Sequence, residues 1–355
     1  MKKVLILGGT GAMGVYLVEL LAMNSEYMIT VTSRTEHESK ENVSFVCGDA
    51  KNNDFLEVLL KNHWDVIVDF MSYTTKEFSN RVELLLNSTD QYIFISSARV
   101  YADYPNEKIR EDFPRILDVC QDEEYLKTDE YALAKARQEN CLHQVGGNWT
   151  IIRPSITYSN KRLQLGVLEK ENWVYRALKG RTIVFSEDIA DKYTTMSTGE
   201  DVAKGIQAIM GKEDALGKAF HIVSPYAYKW KEILDIYLPV LEEYTGRKIE
   251  VKWTRKATNL QFESLKYQVK YGRYFSRHFD NSEISKYVDT NQFEDPVIGL
   301  NRCLREFLEL QDFKTINWRI EAVNDRVTGE KTCLSEISSL KMKMQYLKFR
   351  YHLYL

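Results

Sequence analysis

Short apolar runs alternate with helical patterns along the first 155 residues of the chain. The apolar runs are rich in β-branched residues and have the length of buried strands. They are Val4–Leu7, Met28–Thr32, Val43–Val46, Val66–Asp69, Tyr92–Ser96 and Thr150–Arg153. Between them, stretches such as Gly14–Met23 and Phe55–Asn62 place apolar residues three and four positions apart, which is typical of amphipathic helices. This alternation predicts an α/β fold, a doubly wound parallel sheet with helices on both faces.

The pattern is less regular after Arg153. Helices are predicted at 172–179, 199–210 and 229–244, and strands at 181–185, 219–223 and 249–253. A second, less regular α/β region therefore follows the predicted parallel sheet.

A glycine-rich turn follows the first predicted strand, at Gly8-Gly9-Thr10-Gly11-Ala12-Met13-Gly14. Gly8 allows a tight turn, Gly11 lets backbone N–H groups approach a pyrophosphate, and Gly14 lets helix and strand pack closely. The N-terminus of the following helix adds positive potential and unpaired N–H donors. We therefore predict a dinucleotide site, and we assign to it Gly8, Thr10, Gly11, Ala12, Met13 and Gly14.

The end of the second predicted strand is where such a fold contacts the ribose of its cofactor. An acidic residue there would accept hydrogen bonds from the ribose hydroxyls of NAD, but this chain has Ser33 and Arg34, the latter 20 residues after Gly14. A guanidinium is suited to a 2′-phosphate, so NADP is favoured over NAD. In the alternative interpretation Arg34 is a solvated loop residue, since Glu36 and Glu38 follow closely.

A tyrosine and a lysine open a helical stretch in the middle of the chain. Their spacing places Tyr131 and Lys135 on one helix face, about one turn apart. A phenol with a pKa of ~10 transfers protons poorly at neutral pH, and a nearby ammonium lowers that pKa. Ser97 ends an apolar strand at the sheet edge where ligands bind, and would hydrogen-bond the substrate oxygen while Tyr131 exchanges its proton. Without a ligand, the same residues would form a strand-end turn and a solvated Tyr–Lys pair.

Three features together resemble the extended short-chain dehydrogenases/reductases, and most of all the NAD-dependent epimerase/dehydratase family of nucleotide-sugar enzymes. They are the glycine turn, the segment Ser96-Ser97-Ala98-Arg99-Val100-Tyr101, and Tyr131 with Lys135. The resemblance covers about residues 1–312 and includes Gly48-Asp49, Arg153-Pro154-Ser155, Glu200-Asp201 and Asp280-Asn281-Ser282. It implies that Ser97 and Tyr131 carry catalysis and that Lys135 also holds the nicotinamide ribose. It further implies cofactor contacts from Asp49, Ala50, Phe70, Met71, Ser72, Tyr131, Pro154 and Ser155. It also implies a Rossmann domain over residues 1–158, to which residues 189–223 return, and a smaller C-terminal α/β substrate domain at 159–188 and 224–312. The ligand cleft would lie between the two domains, and residues 313–355 would form a C-terminal extension.

Three positions depart from the family pattern. Family dehydratases have an Asp-Glu pair directly after the catalytic hydroxyl, where this chain has Ala98 and Arg99, so 4,6-dehydration is disfavoured. The apolar-Ala-Ala stretch after the fourth strand is replaced by Asp69-Phe70-Met71-Ser72, which looks more like the sub-branch that includes chloroplast stem-loop-binding proteins. The arginine that often grips the nucleotide diphosphate aligns near Thr194, with Lys192 close by.

The motifs predict an NAD(P)-dependent oxidoreductase or epimerase that acts on a nucleotide-linked sugar by hydride transfer with a Ser–Tyr–Lys set. Two alternatives retain the fold without turnover, namely an NADP-binding regulator and an RNA-binding protein. The formal net charge is −3, and because residues 331–355 carry +4, the preceding 330 residues carry −7. Such a body attracts phosphate backbones weakly. We therefore expect a nucleotide-sugar-type small molecule and a second copy of the chain as partners, rather than nucleic acid.

Histidines and cysteines add no further chemistry. The six histidines show no metal-ligand spacing, which predicts no metal site; they are His37, His63, His143, His221, His278 and His352. The five cysteines show no CxxC spacing, and no apolar stretch is long enough to span a membrane. Together with a start at Met1–Lys3 that leads straight into a strand, this predicts a cytoplasmic protein with reduced thiols.

The C-terminal tail, residues 331–355, mixes basic residues with large apolar ones, most densely from Leu340 to Leu355. As a helix it would pack on the acidic body of its own chain or on a partner subunit. Attachment to an anionic membrane surface is the alternative, although less favoured, interpretation.

Overall fold

The computed structural model describes residues 1–260 and 265–351, and the chain divides into two compact units. The first unit comprises Met1–Thr157, Thr195–Tyr226 and His278–Glu294. The second comprises Tyr158–Thr194, the described parts of Ala227–Arg277, and the chain from Asp295 onward. The last four residues of the predicted tail, 352–355, among them His352, lie outside the described residues.

The strands and helices are numbered along the chain. The strands are β1 (Lys2–Leu7), β2 (Tyr27–Ser33), β3 (Val43–Cys47), β4 (Trp64–Asp69), β5 (Thr89–Ile95), β6 (Trp149–Ile152), β7 (Ile156–Tyr158), β8 (Gln164–Leu165), β9 (Leu168–Glu169), β10 (Ile183–Ser186), β11 (Tyr193–Thr194), β12 (Met196–Thr198), β13 (Lys218–Phe220), β14 (Tyr228–Lys229) and β15 (Val251–Thr254). The helices are α1 (Gly14–Ala22), α2 (Asn53–Leu59), α3 (Thr75–Ser79), α4 (Val82–Asn87), α5 (Ile116–Val119), α6 (Glu123–Leu126), α7 (Tyr131–Val145), α8 (Lys170–Leu178), α9 (Glu187–Ala190), α10 (Gly199–Ile209), α11 (Trp230–Thr245), α12 (Lys266–Gln268), α13 (Pro296–Leu310), α14 (Trp318–Thr328) and α15 (Leu340–Tyr351).

The first unit is built on a seven-stranded sheet in the order β13-β6-β5-β4-β1-β2-β3, in which neighbouring strands run parallel. From β1 the chain winds outward through β2 and β3, then returns to the other side of β1 with β4. The switch point between β1 and β4 opens a crevice at the carboxyl ends of the strands, where ligands bind in this architecture. The α/β doubly wound fold predicted from the sequence is confirmed.

Alternation along β1 shows how the two faces of the sheet are covered. Val4 and Ile6 belong to one apolar core with Leu17 of α1 and Ile206 of α10. Leu5 and Leu7 belong to the opposite core; the helical residues that join them there include Leu56, Leu85 and Leu142 of α2, α4 and α7. Because both faces are buried, the central strands are continuous apolar runs.

The unit boundaries differ from the predicted ones at residues 189–194, which belong to the second unit, at residues 224–226, which belong to the first, and most of all at residues 278–294. Residues 278–294, assigned from the sequence to the substrate domain, belong to the first unit. The Asp280 N–H donates to the Ile109 carbonyl at 2.9 Å, and Asn281 Nδ2 donates to the Val223 carbonyl at 2.8 Å. These hydrogen bonds attach the segment to loops of the first unit.

The second unit contains the parallel pair β10 and β15, together with α8, α11, α13, α14 and α15. The segment predicted as an extension is part of this unit, because α15 packs on α14 and Tyr346 is completely buried beside Trp318 and Ile337. Among the described residues, no helix is long and apolar enough to cross a membrane.

Candidate functional site

The glycine turn between β1 and α1 has the geometry that its sequence predicts. Gly8 has a φ of +70°, and the Gly11 N–H donates to the Gly8 carbonyl at 3.2 Å. The Gly8 N–H donates to Thr32 Oγ1 of β2 at 2.9 Å, which fixes the turn against the neighbouring strand. A Cβ added at Gly14 would lie 2.7 Å from the backbone of Gly9, so α1 can begin this close to the turn only with glycine there.

A groove of about 560 Å³ lies over the carboxyl ends of β1 to β4. Ten of the predicted cofactor residues line it, namely Gly8, Thr10, Gly11, Ser33, Arg34, Asp49, Ala50, Phe70, Met71 and Ser72. Thr32, Gly48 and Lys51 line it as well, and of these Lys51 was missed as a site residue. Its signal was local, because it directly follows the Asp49-Ala50 pair. Seven predicted cofactor residues do not line this groove, namely Ala12, Met13, Gly14, Tyr131, Lys135, Pro154 and Ser155.

Two cations lie in the groove lining. Arg34 is exposed and forms no ion pair or hydrogen bond with any other residue that the structure describes. Lys51 Nζ lies 3.4 Å from Glu77 Oε2, and the Lys51 N–H donates to Asp49 Oδ1 at 2.9 Å. The groove therefore offers positive charge at the ends of β2 and β3, where a bound dinucleotide would present its adenosine half.

Ser97 follows β5 and is buried. Its Oγ accepts the Arg99 N–H at 3.2 Å and so caps the short helical turn Ala98–Val100. The Arg99 side chain bridges this turn to the start of α7, since its guanidinium lies 5.6 Å from the centre of the Tyr131 ring and donates to Glu130 at 2.8 Å. Ser97 and Tyr131 thus belong to two segments that one arginine joins, and Tyr131 is 43% exposed.

Lys135, one helical turn after Tyr131, is buried. Its Nζ donates to the Ile95 carbonyl at 2.8 Å and lies 4.5 Å from the centre of the Phe94 ring. Burial lowers the pKa of Lys135 to about 8, while the negative charges of Asp69 and Glu139 act in the opposite direction. The ammonium is therefore fixed to the end of β5, and its expected contact with a ribose stays a prediction.

Glu139 is a completely buried carboxylate on the same face of α7. It accepts Ser96 Oγ at 2.6 Å, Arg153 Nε at 2.9 Å, Arg153 Nη2 at 2.8 Å and Arg115 Nη1 at 3.1 Å. Burial raises the pKa of Glu139, but Arg153, Ser96 and Arg115 together more than offset this and leave the pKa below its ordinary value. Sequence reasoning missed this carboxylate, which joins the end of β5, the end of β6 and α7.

Pro154 and Ser155 directly follow Arg153, the residue at the end of β6 that binds Glu139. The Pro154 carbonyl accepts the Ala98 N–H at 2.9 Å, which holds the segment after β6 against the Ser97 turn. Ser155 follows and is half-buried. The predicted catalytic residues and this pair therefore lie around the ends of β5 and β6, next to the groove formed at the ends of β1 to β4.

Metal ligands are not grouped in the part of the chain that the structure describes. Within residues 1–260 and 265–351, no set of three or more His, Cys, Asp or Glu side chains could hold a metal ion.

Comparison with known proteins places the first half of the chain in a family. The model of the NAD(P)H-binding family matches residues 8–193, more than half of the 355 residues. A chloroplast stem-loop binding protein of 41 kDa from Arabidopsis thaliana is 25% identical over 236 residues, which is 62% of this chain and 58% of that protein. Subunit 9 of the mitochondrial NADH dehydrogenase (ubiquinone) 1 alpha subcomplex from Dictyostelium discoideum is 21% identical over 273 residues, 69% of this chain and 66% of the relative. The chain thus spans less than two thirds of either relative.

Solved structures share the fold along most of the chain. UDP-glucuronic acid 4-epimerase from Bacillus cereus, in complex with UDP-glucuronic acid and NAD, superposes with a TM-score of 0.64 at 17% identity, over 87% of this chain and 99% of that one. dTDP-glucose 4,6-dehydratase from Bacillus anthracis, in complex with NAD, gives a TM-score of 0.65 at 14% identity, over 88% and 98%. The resemblance to epimerases and dehydratases that the motifs predicted is confirmed at the level of the fold.

Proposed function

Because the chain belongs to the NAD(P)H-binding family, we propose that it transfers hydride between a nicotinamide cofactor and a nucleotide-linked sugar, as an epimerase or a reductase. The observation that carries the proposal is the position of two sets of groups on one sheet. The glycine-turn groove lies at the ends of β1 to β4, and the segments with Ser97, Tyr131 and Lys135 lie at the end of β5 beside it.

The groove fits a dinucleotide. Gly8 and Gly14 permit a turn that side chains would block, and a Cβ at Gly11 would meet only the Gly8 carbonyl at 3.5 Å, which leaves room for a pyrophosphate. Backbone N–H groups at the start of α1 would bind that pyrophosphate, and Arg34 would bind the 2′-phosphate of NADP. When bound, the nicotinamide supplies the hydride acceptor or donor.

The chain's own residues would carry out the proton transfer. When a sugar carbinol gives up its hydride, its hydroxyl proton passes to the Tyr131 phenolate, and the reverse step returns both. Ser97 Oγ would orient the reacting oxygen, and the Lys135 ammonium would favour the phenolate by its charge. Arg99 is engaged with Glu130 and the Tyr131 ring and cannot protonate a leaving group, so 4,6-dehydration stays disfavoured.

Binding without turnover is a second candidate function. It is favoured by the similarity to a stem-loop binding protein, and it would need only the groove or a nucleic-acid surface. The Ser–Tyr–Lys segments, held by Arg99 and Glu139, favour the enzyme instead. The homodimer and the cytoplasmic location stay predictions from the sequence.

Turnover of a panel of nucleotide sugars distinguishes the enzyme from a protein that binds without turnover. We expect the purified chain to bind NADPH or NADH and to convert at least one UDP- or dTDP-sugar, with products separated by chromatography and cofactor oxidation followed by absorbance. Gly11→Val is the control, because its side chain would fill the groove while its Cβ meets the nearest atom at 3.5 Å. Cofactor binding with no conversion of any sugar, alongside salt-sensitive RNA binding, would contradict the proposal.

Cofactor choice gives a separate prediction. Arg34→Ala should weaken NADPH binding about tenfold, the equivalent of one charge-assisted hydrogen bond, and leave NADH binding nearly unchanged. Lys51→Ala should lower NADPH affinity in the same direction, since Lys51 lines the same groove. Lys61→Ala, an exposed lysine outside the groove, is the matched control. Fluorescence titration measures both affinities, and an unchanged NADPH-to-NADH ratio in Arg34→Ala would remove Arg34 from the 2′-phosphate site.

A further inference from the structure

Asp69 ends β4 as a completely buried carboxylate. Three donors bind it: the Tyr92 hydroxyl at 2.7 Å, the Met71 N–H at 2.8 Å and the Tyr73 hydroxyl at 3.1 Å. Burial raises the pKa of both tyrosines, so both hydroxyls keep their protons and remain donors. Burial raises the pKa of Asp69, and these three donors oppose that rise because each of them stabilises the ionised form. A buried carboxylate in this form needs a cation nearby.

Helix α7 supplies such a cation, Lys135. Asp69 and Phe94 are register partners on the parallel strands β4 and β5, so their side chains project from the same face of the sheet. The Lys135 ammonium lies over the Phe94 ring at 4.5 Å and donates to the Ile95 carbonyl, on that same face. Asp69 and Lys135 also interact electrostatically, each favouring the charged form of the other.

We propose that Asp69 is the buried counter-charge that keeps Lys135 protonated beneath the candidate site. Asp69 is a positioning residue, since it acts through Lys135 and, through the Met71 N–H, on the groove wall. The link to catalysis rests on the proposed function, because it requires Lys135 to tune Tyr131. The electrostatic pair itself does not depend on that function.

The other charged groups near Asp69 and Lys135 are bound to partners of their own, so they do not take the place of Asp69. Glu139 is the second acid that faces Lys135, but it is already bound by Arg153 and Arg115. Arg81 lies 4.7 Å from the centre of the Tyr73 ring, and its guanidinium donates to backbone carbonyls after β3 and to Asn53. Burial alone lowers the pKa of Lys135, so the loss of the Asp69 charge would lower it further.

The test is the titration of Lys135 in Asp69→Asn, measured by NMR of isotope-labelled lysine side chains and assigned with Lys135→Met. We expect the wild-type resonance to titrate near pH 8 and to shift downward by about one pH unit in the variant. Tyr73→Phe is the matched control, because it removes one hydrogen bond from Asp69 and no charge, and it should leave the titration in place. An unchanged Lys135 titration in folded Asp69→Asn would overturn the proposal, as would an Asp69 that is protonated at neutral pH in the wild type.

If the Asp69→Asn chain does not fold, a reciprocal measurement on Lys135→Met still tests the proposal. Linkage requires that removal of the ammonium in Lys135→Met raise the pKa of Asp69 by the same free energy, which carboxyl NMR reports. An Asp69 pKa that stays in place in Lys135→Met would overturn the proposal by itself.

Kinetics separates this inference from the proposed function. If the chain is the enzyme described above, the high-pH fall of kcat should move to lower pH in Asp69→Asn, by the shift that NMR gives, at unchanged KM. If neither chain turns over any sugar while the NMR shift is present, the proposed function fails and the Asp69–Lys135 pair stands. A shifted titration with an unmoved pH profile in an active enzyme would overturn the catalytic role of Asp69.

Discussion

Arg176→Met is expected to lower the free energy of unfolding of the second unit by about 3–5 kcal/mol, the cost of leaving buried acids without their cation. Arg176 lies on α8 and is completely buried. Its Nη1 donates to Glu321 at 2.7 Å and to Asp325 at 2.8 Å, and its Nη2 donates to Glu330 at 2.6 Å. Methionine fills most of the volume but supplies no donor. Both completely buried acids of α14 would then lose the charge of Arg176.

Denaturant unfolding followed by the fluorescence of Trp173 and Trp318 measures this loss. Arg305→Met is the matched control in the same unit, because Arg305 pairs with Glu243 at the surface and should leave the midpoint unchanged. Equal losses in the two variants would contradict the buried-network explanation. Burial raises the pKa of Glu321 to about 7 in the folded chain, above the ordinary value of 4.5 for a glutamate, so its contribution to stability falls as pH rises from 4.5 to 7.

The contacts of the C-terminal tail could not be predicted from the sequence. Composition gave residues 331–355 a charge of +4 and made them look like a separate extension. In the structure, Glu336 pairs with Arg181 at 2.6 Å and accepts the Tyr175 hydroxyl at 2.7 Å, and Tyr346 donates to Asp325 at 2.7 Å. The partners Tyr175 and Arg181 lie more than 150 positions earlier in the chain. No local pattern can reveal contacts at that separation.

The sheet could be predicted because its signal is local. Parallel strands buried on both faces form continuous apolar runs, and each predicted run of the first half lies in or overlaps one of the strands β1 to β6. The two-residue strands such as β8 and β9 are too short for any periodicity. Helix α14 was not predicted, because its apolar positions are interrupted by Glu321 and Asp325, which pair with the buried Arg176. The tail is predicted to pack, as a helix, on its own chain or on a partner subunit, and α15 packs on α14 of the same chain.

The residues of the candidate site likewise fall into those that a local motif reveals and those that depend on distant partners. The glycine turn, Arg34 and the Ser97 and Tyr131 segments could be found because each lies in a short motif with its own geometry. Glu139 could not, because its role depends on Ser96, Arg153 and Arg115, which other elements supply. Asp69 left one visible sign, a charged residue at the end of an apolar strand, but its partners Tyr92 and Lys135 appear only when the sheet is assembled.

Tyr131→Phe is expected to lower kcat by about 10²–10⁴-fold, the usual contribution of a positioned acid–base group. The change removes only the phenol oxygen, so the aromatic ring can remain over the Arg99 guanidinium and α7 can begin at the same residue. Tyr131 does not line the groove, and NAD(P)H affinity should therefore stay within about twofold of the wild type. Because the side chain is 43% exposed, the free energy of unfolding should also be unaffected.

Steady-state kinetics on the converted nucleotide sugar, with cofactor titration in parallel, tests this prediction. Tyr104→Phe is the matched control, since its hydroxyl donates to the Pro114 carbonyl in the same unit and it should leave kcat unchanged. A kcat that falls equally in both variants would point to a general loss of structure. Equal turnover by Tyr131→Phe and the wild type would instead remove Tyr131 from proton transfer. Lys135, whose pKa burial lowers to about 8, would then be the remaining group of the set that titrates near neutral pH.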